Sequence, residues 1–396
     1  MDMVISADRV HAGRARRVIT DGGVLVRGDR IVAVDQLEQV LAQASAGVTR
    51  LAFPGSTLLP GLIDSHVHLA FDASPDPAST VLNSTDDELL RLMMANANRL
   101  LSTGVTTVRD LGDRGGLAMR LRDLVASGVL LGPRIVAAGA PLTLPGGHCW
   151  FLGGEAAGAD GIRAMVERNA KAGADLIKVM ATGGHLTPNG PAMWESQYSE
   201  EELRLVVAEA ARFGLPVAAH AHGTQGITDA VAAGVSTIEH CTWLGNGDFD
   251  VPEAVIDEVK ARRITVSPAI SRNWRVFPQR FGAEIAEKVL NRLRWYDEHG
   301  ISMIAGTDAG VPGAAFDKFV SALEVFQHVG LSNGRILELA TTAAAEALGL
   351  IETTGHISIG MDADLLVVDG DPLVELGALR DVRLVMARGR LHVLSA

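Results

Sequence analysis

Leu62-Ile63-Asp64-Ser65-His66-Val67-His68 is a short apolar strand ending in two histidines, and it opens a pattern that repeats along the chain. From Leu62 to about Gly349, short apolar strands alternate with stretches of helical period. The further candidate strands are Thr106–Arg109, Arg134–Ala138, Leu176–Met180, Val217–His220, Thr237–His240, Ile264–Pro268 and Met303–Thr307. Between them, Ser199–Phe213 reads as a helix with Ser199 as N-cap and Glu202 three residues later. Three links, Ser102-Thr103-Gly104, Lys171-Ala172-Gly173-Ala174 and Ala232-Ala233-Gly234, supply left-handed helix stops. Eight strand–helix units predict an α/β fold, a (β/α)8 TIM barrel. An open doubly wound sheet is the alternative, but no Gly-x-Gly-x-x-Gly phosphate loop follows the first strand.

The flanks read differently. Residues 1–58 carry short strands at Met3–Ser6, Gly23–Arg27, Arg30–Val34 and Thr49–Phe53, with turn signals at Asp21-Gly22-Gly23 and Gly28-Asp29. A β pattern returns at Leu365–Val368, Val382–Ala387 and Leu391–Leu394. Two β segments at opposite ends of a chain can pair. The expected division is therefore a composite β-sandwich domain from residues 1–58 and 350–396, around a barrel from 59–349.

Composition bounds the function. Of 396 residues, 47% are hydrophobic and 21% charged, which permits a large core and excludes disorder as the main state. The formal net charge is −12, a balance that repels phosphate backbones, so no nucleic-acid partner is expected. Met1 to Arg17 has no continuous apolar run, and the uncharged stretch Ile135–Gly154 is broken by Pro141 and Pro145; neither a signal peptide nor a membrane helix is expected. Cys149 and Cys241 cannot form a disulfide framework, which points to a reducing, cytoplasmic setting.

In such a barrel the chemistry sits at the C-terminal ends of the strands. Those ends carry His66 and His68, Lys178, His220, His240 and, after the last strand, Asp308. Period-two alternation puts His66 and His68 on one face, where two imidazoles can chelate a divalent metal; a partly exposed pair is the bland alternative. Lys178 interrupts an apolar strand, which is costly for a bare ammonium. It either pairs with a carboxylate such as Asp308, or becomes neutral and adds CO2 to form a carbamate whose oxygens could each bind one metal. His220 and His240 end consecutive strands, as one metal held between neighbours would require. Asp308 could reach the His66–His68 metal once the barrel closes, or could be only a helix N-cap.

Together these residues resemble the amidohydrolase superfamily. The resemblance is carried by Leu59-Pro60-Gly61-Leu62-Ile63-Asp64-Ser65-His66-Val67-His68, the strand-end Lys, His, His and Asp, and Gly360-Met361-Asp362-Ala363-Asp364-Leu365 near the C-terminus. Ile177-Lys178-Val179-Met180-Ala181-Thr182-Gly183-Gly184, Ala218-Ala219-His220-Ala221-His222-Gly223 and Ala305-Gly306-Thr307-Asp308-Ala309-Gly310 bring it closest to the imidazolonepropionase-like branch. That branch includes metal-dependent prolidases, Xaa-dipeptidases, carboxypeptidases and ochratoxin-type amidases. The resemblance implies one metal on His66, His68 and Asp308, and a second on His220 and His240. Carboxylated Lys178 and a hydroxide would bridge the two ions, expected to be Zn2+. Asp308 would shuttle the proton to the departing amine. The implied reaction is hydrolysis of the amide bond of a dipeptide or N-acyl amino acid, and relatives form homo-oligomers.

His148, His222 and His185 are candidate substrate contacts; related prolidases often carry tyrosine where His222 stands. Strand alternation turns Cys241 away from the site, and both cysteines read as packing residues. The rival function is a cyclic-amide, lactone, ester or organophosphate hydrolase on the same centre. A mononuclear deaminase typically has a glutamate where this chain has Gly223, and a noncatalytic barrel would have no need of all six site residues.

Overall fold

The computed structural model describes residues 2–13, 18–245 and 251–392. The N-terminal strands are β1 (Asp2–His11), β2 (Val18–Arg27), β3 (Arg30–Gln36) and β4 (Thr49–Pro60). The C-terminal strands are β12 (Leu365–Asp369), β13 (Val382–Ala387) and β14 (Arg390–His392). All seven join in one sheet, ordered β14-β13-β12-β4-β1-β2-β3. β4 is the seam: it runs parallel to β1 and antiparallel to β12, with Leu58 opposite Val367 and Pro60 opposite Leu365. The two ends of the chain therefore pair, as the sequence pattern implied. They form one hydrogen-bonded sheet, which does not by itself show the two stacked layers of the expected sandwich. One face buries Val4, Leu25 and Ala33 against Val40 of the short helix Leu37–Ala42. The other buries Ile5, Val24 and Leu58 with Ile357, Met361 and Val367. The end of the expected strand Leu391–Leu394 lies outside the described residues.

The central strands are β5 (Leu62–Val67), β6 (Val105–Asp110), β7 (Arg134–Ala137), β8 (Ile177–Met180), β9 (Val217–Gly223), β10 (Thr237–Leu244) and β11 (Thr265–Ser267). They form two parallel sheets, β5-β6-β7 and β11-β10-β9-β8, and not one continuous closed ring. Two local causes interrupt the ladder. After β7 the chain reaches Pro141, which has no N–H to donate, and only Leu142 bridges to Val179 of β8. The expected strand Met303–Thr307 does not form as a strand. Its backbone instead makes separate bonds: Ile304 N–H donates to Val266 O (3.1 Å), and Ser65 N–H of β5 donates to Ala305 O (3.0 Å).

The helices form where the sequence places caps and apolar stripes. Asp86–Ser102 and Glu200–Ala211 each begin with a capping box, Thr85 with Glu88 and Ser199 with Glu202. Gly104, Gly173 and Gly234 take positive φ at the three expected stops. The buried helix faces, such as Leu89, Met93, Leu100, Leu203 and Val206, join strand residues Val108, Ile177 and Val266 in one large apolar cluster. This cluster holds the polar strand ends in place. Among the described residues, no helix is long and apolar enough to cross a membrane.

Candidate metal centre

The polar strand ends converge on one cavity of about 990 Å3 whose wall includes His66, His68, Lys178, His220, His240 and Asp308. Two groups of potential ligands stand within it: His66, His68 and Asp308, and His220, His222 and His240. Within each group the donor atoms lie within 4.8 Å of one another. The groups abut, since the His66 and His240 rings are 5.2 Å apart between centroids.

In the first group, Asp308 Oδ1 lies 3.4 Å from both His66 Nε2 and His68 Nε2. Burial pushes the Asp308 carboxyl up, but the charge of His66 and the hydrogen bonds from both imidazoles hold it well below the usual carboxylate range. Asp308 has φ +57°, a left-handed conformation that turns its side chain back over β5. It is anchored from one side by its N–H, which donates to His66 O (2.8 Å). From the other, buried Asp64 accepts from Thr307 N–H (3.0 Å) and Thr307 Oγ1 (2.6 Å). Asp64 thus ties β5 to the segment that presents Asp308. Burial raises its pKa to about 7 despite those bonds.

His66 is fixed from behind. Its Nδ1 lies 2.8 Å from Glu239 Oε2, leaving Nε2 directed at Asp308. Glu239 Oε1 accepts from Arg109 Nη2 (2.8 Å) and Thr237 Oγ1 (2.6 Å), while Arg109 Nε donates to Ser65 O (2.7 Å). Burial would raise the Glu239 pKa, but the Arg109 charge and the His66 bond hold it far below the usual range. Sequence reasoning gave Glu239, Arg109 and Asp64 no role. The available signal was the one used for Lys178: a charged residue inside an apolar strand.

In the second group, His220 and His240 rings are 4.7 Å apart, and His222 stacks on His240 at 4.5 Å. β9 continues to Gly223, so His220 and His222 share a face. His222, expected as a substrate contact, is thus placed among the potential ligands, with Nδ1 2.9 Å from Thr242 Oγ1. Burial first, then the charges of neighbouring imidazoles, pushes His220 and His222 well below the ordinary histidine value; for His240 burial lowers it to about 3.

Lys178 is 1% exposed, and its Nζ has no hydrogen-bond partner among the described residues. It forms no ion pair with a carboxylate among the described residues. Burial brings its pKa down to about 8, so the neutral amine is accessible near physiological pH.

His148 is buried beside His220, with ring centroids 4.6 Å apart, and burial lowers its pKa to about 3. Its backbone N–H donates to Gln197 Oε1 (2.8 Å). The ring is wedged against Gly184, where a Cβ would approach it to 2.4 Å. His185 is exposed at the cavity wall.

Cys241 corrects an expectation: it lines the cavity together with Cys149. His240 and Cys241 both take positive φ (66° and 51°), and the β9–β10 register shifts after His240, which breaks the alternation that would have turned Cys241 away. Burial raises the Cys241 thiol to about 12 and Cys149 further, so neither supplies a thiolate near neutral pH.

A model described as the amidohydrolase family matches residues 57–392. Ochratoxinase from Aspergillus niger is 25% identical over 392 residues, covering 91% of this chain and 80% of that protein. A crystal structure of a Xaa-Pro dipeptidase with bound methionine in its active site is 27% identical, with a TM-score of 0.86 over 99% of this chain and 100% of that one. A prolidase complexed with N-methylphosphonate-L-proline is 28% identical, with a TM-score of 0.86 over 99% of both chains.

Proposed function

The chain belongs to the amidohydrolase family, and from that membership we propose that it is a binuclear metal-dependent hydrolase cleaving the amide bond of dipeptides or N-acyl amino acids. The observation that carries this reading is the pair of abutting ligand groups in one cavity, beside a buried lysine amine that no described residue satisfies. The residues fit two ions chemically. Imidazole and carboxylate suit Zn2+, and clustered imidazoles whose neutral form is favoured are available as ligands. His66, His68 and Asp308 would hold one ion, His220 and His240 the other. Lys178, carboxylated by CO2 with loss of a proton, would be a ligand to both. When bound, the ions would supply Lewis acidity at the scissile carbonyl and acidify water.

The chain's own residues supply the rest. The Asp308 carboxylate, kept ionised by His66 and His68, can accept a proton from the attacking water and return it to the leaving nitrogen. Neutral, buried His148 can donate a hydrogen bond to the substrate. Glu239 and Arg109 hold His66 in one tautomer and orientation. His222 and His185 line the same space and would meet the substrate. The similarity to an ochratoxinase, a prolidase and a Xaa-Pro dipeptidase supports an amide between an acyl group and an amino acid.

The same proposal includes an eight-stranded barrel at 59–349 flanked by a β domain from 1–58 and 350–396. Backbone bonds at Leu142–Lys178, and through the segment Met303–Thr307 at Ser65–Ala305 and Ile304–Val266, link the two parallel sheets and support the first, and the pairing of β4 with β12 supports the second. It also includes homo-oligomeric assembly and a cytoplasmic location, the latter supported by two buried, unpaired cysteines. The test is a panel of dipeptides and N-acyl amino acids with varied C-terminal residues, presented to the zinc-loaded chain. Release of the free amino acid from one subset is expected. Turnover confined to lactones, esters or phosphotriesters would contradict the substrate class.

A further inference from the structure

The cavity extends past the ligand groups to the helix Ala283–Glu298, whose Ile285, Lys288, Val289 and Arg292 face it. Steps of three and four put these residues on one side of the helix. Two of them are cations in different surroundings. Lys288 Nζ lies 3.0 Å from Glu284 Oε1, one turn back, so its charge is met locally. Half-buried Arg292 has no carboxylate within ion-pair distance among the described residues; its guanidinium stands 5.9 Å from the Trp295 ring.

The helix is fixed beside the second ligand group. Tyr296, one turn after Arg292, donates its hydroxyl to Cys241 O (2.6 Å) and accepts from Trp243 Nε1 (2.6 Å), next to His240. Arg292 is close enough for its charge to act on both Cys241 and Tyr296. The outer wall also carries the apolar side chains of Leu186, Met193, Trp194 and Ile270, beside His185, Asn273 and Glu284, the last of which is engaged by Lys288. A guanidinium without a counter-ion on such a wall is a ready receptor for a carboxylate, which it can bind through two parallel N–H donors. At about 990 Å3 the cavity has room for a bulky acyl group as well as an amino acid.

We propose that Arg292 binds the free carboxylate of the substrate, selecting amides with an unblocked C-terminal carboxylate and seating a bulky acyl group against Leu186, Met193, Trp194 and Ile270. This rests on the amide-hydrolysis reading above, and the test separates the two. The full-length, zinc-loaded chain is titrated calorimetrically with N-benzyl-L-leucine, whose secondary amine cannot be hydrolysed, and with its carboxamide. The acid is expected to bind on the order of 10- to 100-fold more tightly. Arg292→Met should erase that ratio, and Arg292→Lys, which keeps the charge but not the fork, should restore part of it. Arg292→Gln gives the same neutralisation if the Met variant does not fold. A ratio unchanged by neutralising Arg292, or a wild-type chain that binds both compounds equally, overturns the proposal. Hydrolysis of N-benzoyl-L-leucine is followed in parallel. If no leucine is released but the Arg292-dependent ratio persists, the hydrolase reading falls and the carboxylate site stands. If leucine is released while the ratio ignores Arg292, the reverse holds.

Discussion

Replacing Glu239 by Gln tests how the site is held without touching a proposed ligand. Glu239 is fully buried and accepts from three donors: His66 Nδ1, Arg109 Nη2 and Thr237 Oγ1. An amide has one acceptor oxygen, so its NH2 must confront at least one of those donors, and it carries no charge to answer Arg109. Two separable effects follow. His66 loses the partner that fixes its tautomer, and such losses typically weaken metal binding about 10- to 100-fold, or roughly 1.4–2.7 kcal/mol. Arg109, 3% exposed, is left as an uncompensated cation, and breaking a buried pair in this way costs about 3–5 kcal/mol of stability. The double variant Arg109→Met/Glu239→Gln removes the stranded charge; it should regain part of the stability but none of the metal affinity. Equilibrium competition against a chelator of known affinity reads the first effect, and denaturant unfolding of the metal-free chain reads the second. Metal affinity within twofold of wild type in Glu239→Gln would refute the reasoning, as would its recovery in the double variant.

Lys178→Met should abolish most turnover, by about 100-fold or more, the scale of losing one electrostatic contributor at a reacting centre. The same change removes a buried ammonium without a partner, so the metal-free chain should gain about 1–3 kcal/mol in denaturant unfolding. A variant that is both active and destabilised contradicts the assignment. Gly184→Ala puts a Cβ 2.4 Å from the His148 ring, which must move; KM should rise in steady-state kinetics, and an unchanged KM removes His148 from substrate binding. Asp113 is held near pKa 7 by burial and by the charge of Asp110, well above the ordinary carboxylate range. The folded chain therefore binds this proton more tightly than the unfolded one, and that stability is lost as pH rises from about 4 to 7, at up to about 1.4 kcal/mol per unit. Relative to wild type, Asp113→Asn should gain stability across that window and no further above pH 7. A difference that does not vary with pH would count against it.

The parts of this protein that could be read from its sequence are those with a local period. Strand ends and capping boxes fall where apolar runs stop and polar residues begin, so His66, His68, His220, His240 and Asp308 could be picked out one strand at a time. What could not be read depends on contacts between distant strands. Arg109 and Glu239 are 130 residues apart on strands of different sheets, and their pairing is invisible until the two sheets are assembled. Local backbone geometry hid the rest. Left-handed conformations at His240 and Cys241 break the alternation that placed Cys241 outside the cavity. The segment before Asp308 is apolar enough to read as a strand, yet is held by isolated bonds to Val266 and Ser65 and by the grip of Asp64 on Thr307. For Lys178 both readings were open, and it is the unpartnered Nζ that favours the carbamate over an ion pair.

The two-ion centre is tested most directly by counting metal. The chain is purified in Zn2+ and bicarbonate, dialysed against metal-free buffer, and its zinc per chain determined by plasma mass spectrometry, with a 13C-bicarbonate sample examined for a carbamate resonance. The arrangement of His66, His68 and Asp308 beside His220, His222 and His240 leads us to expect two ions per chain and a carbamate signal that vanishes in Lys178→Met. Less than one ion per chain, with no carbamate resonance, would contradict the account.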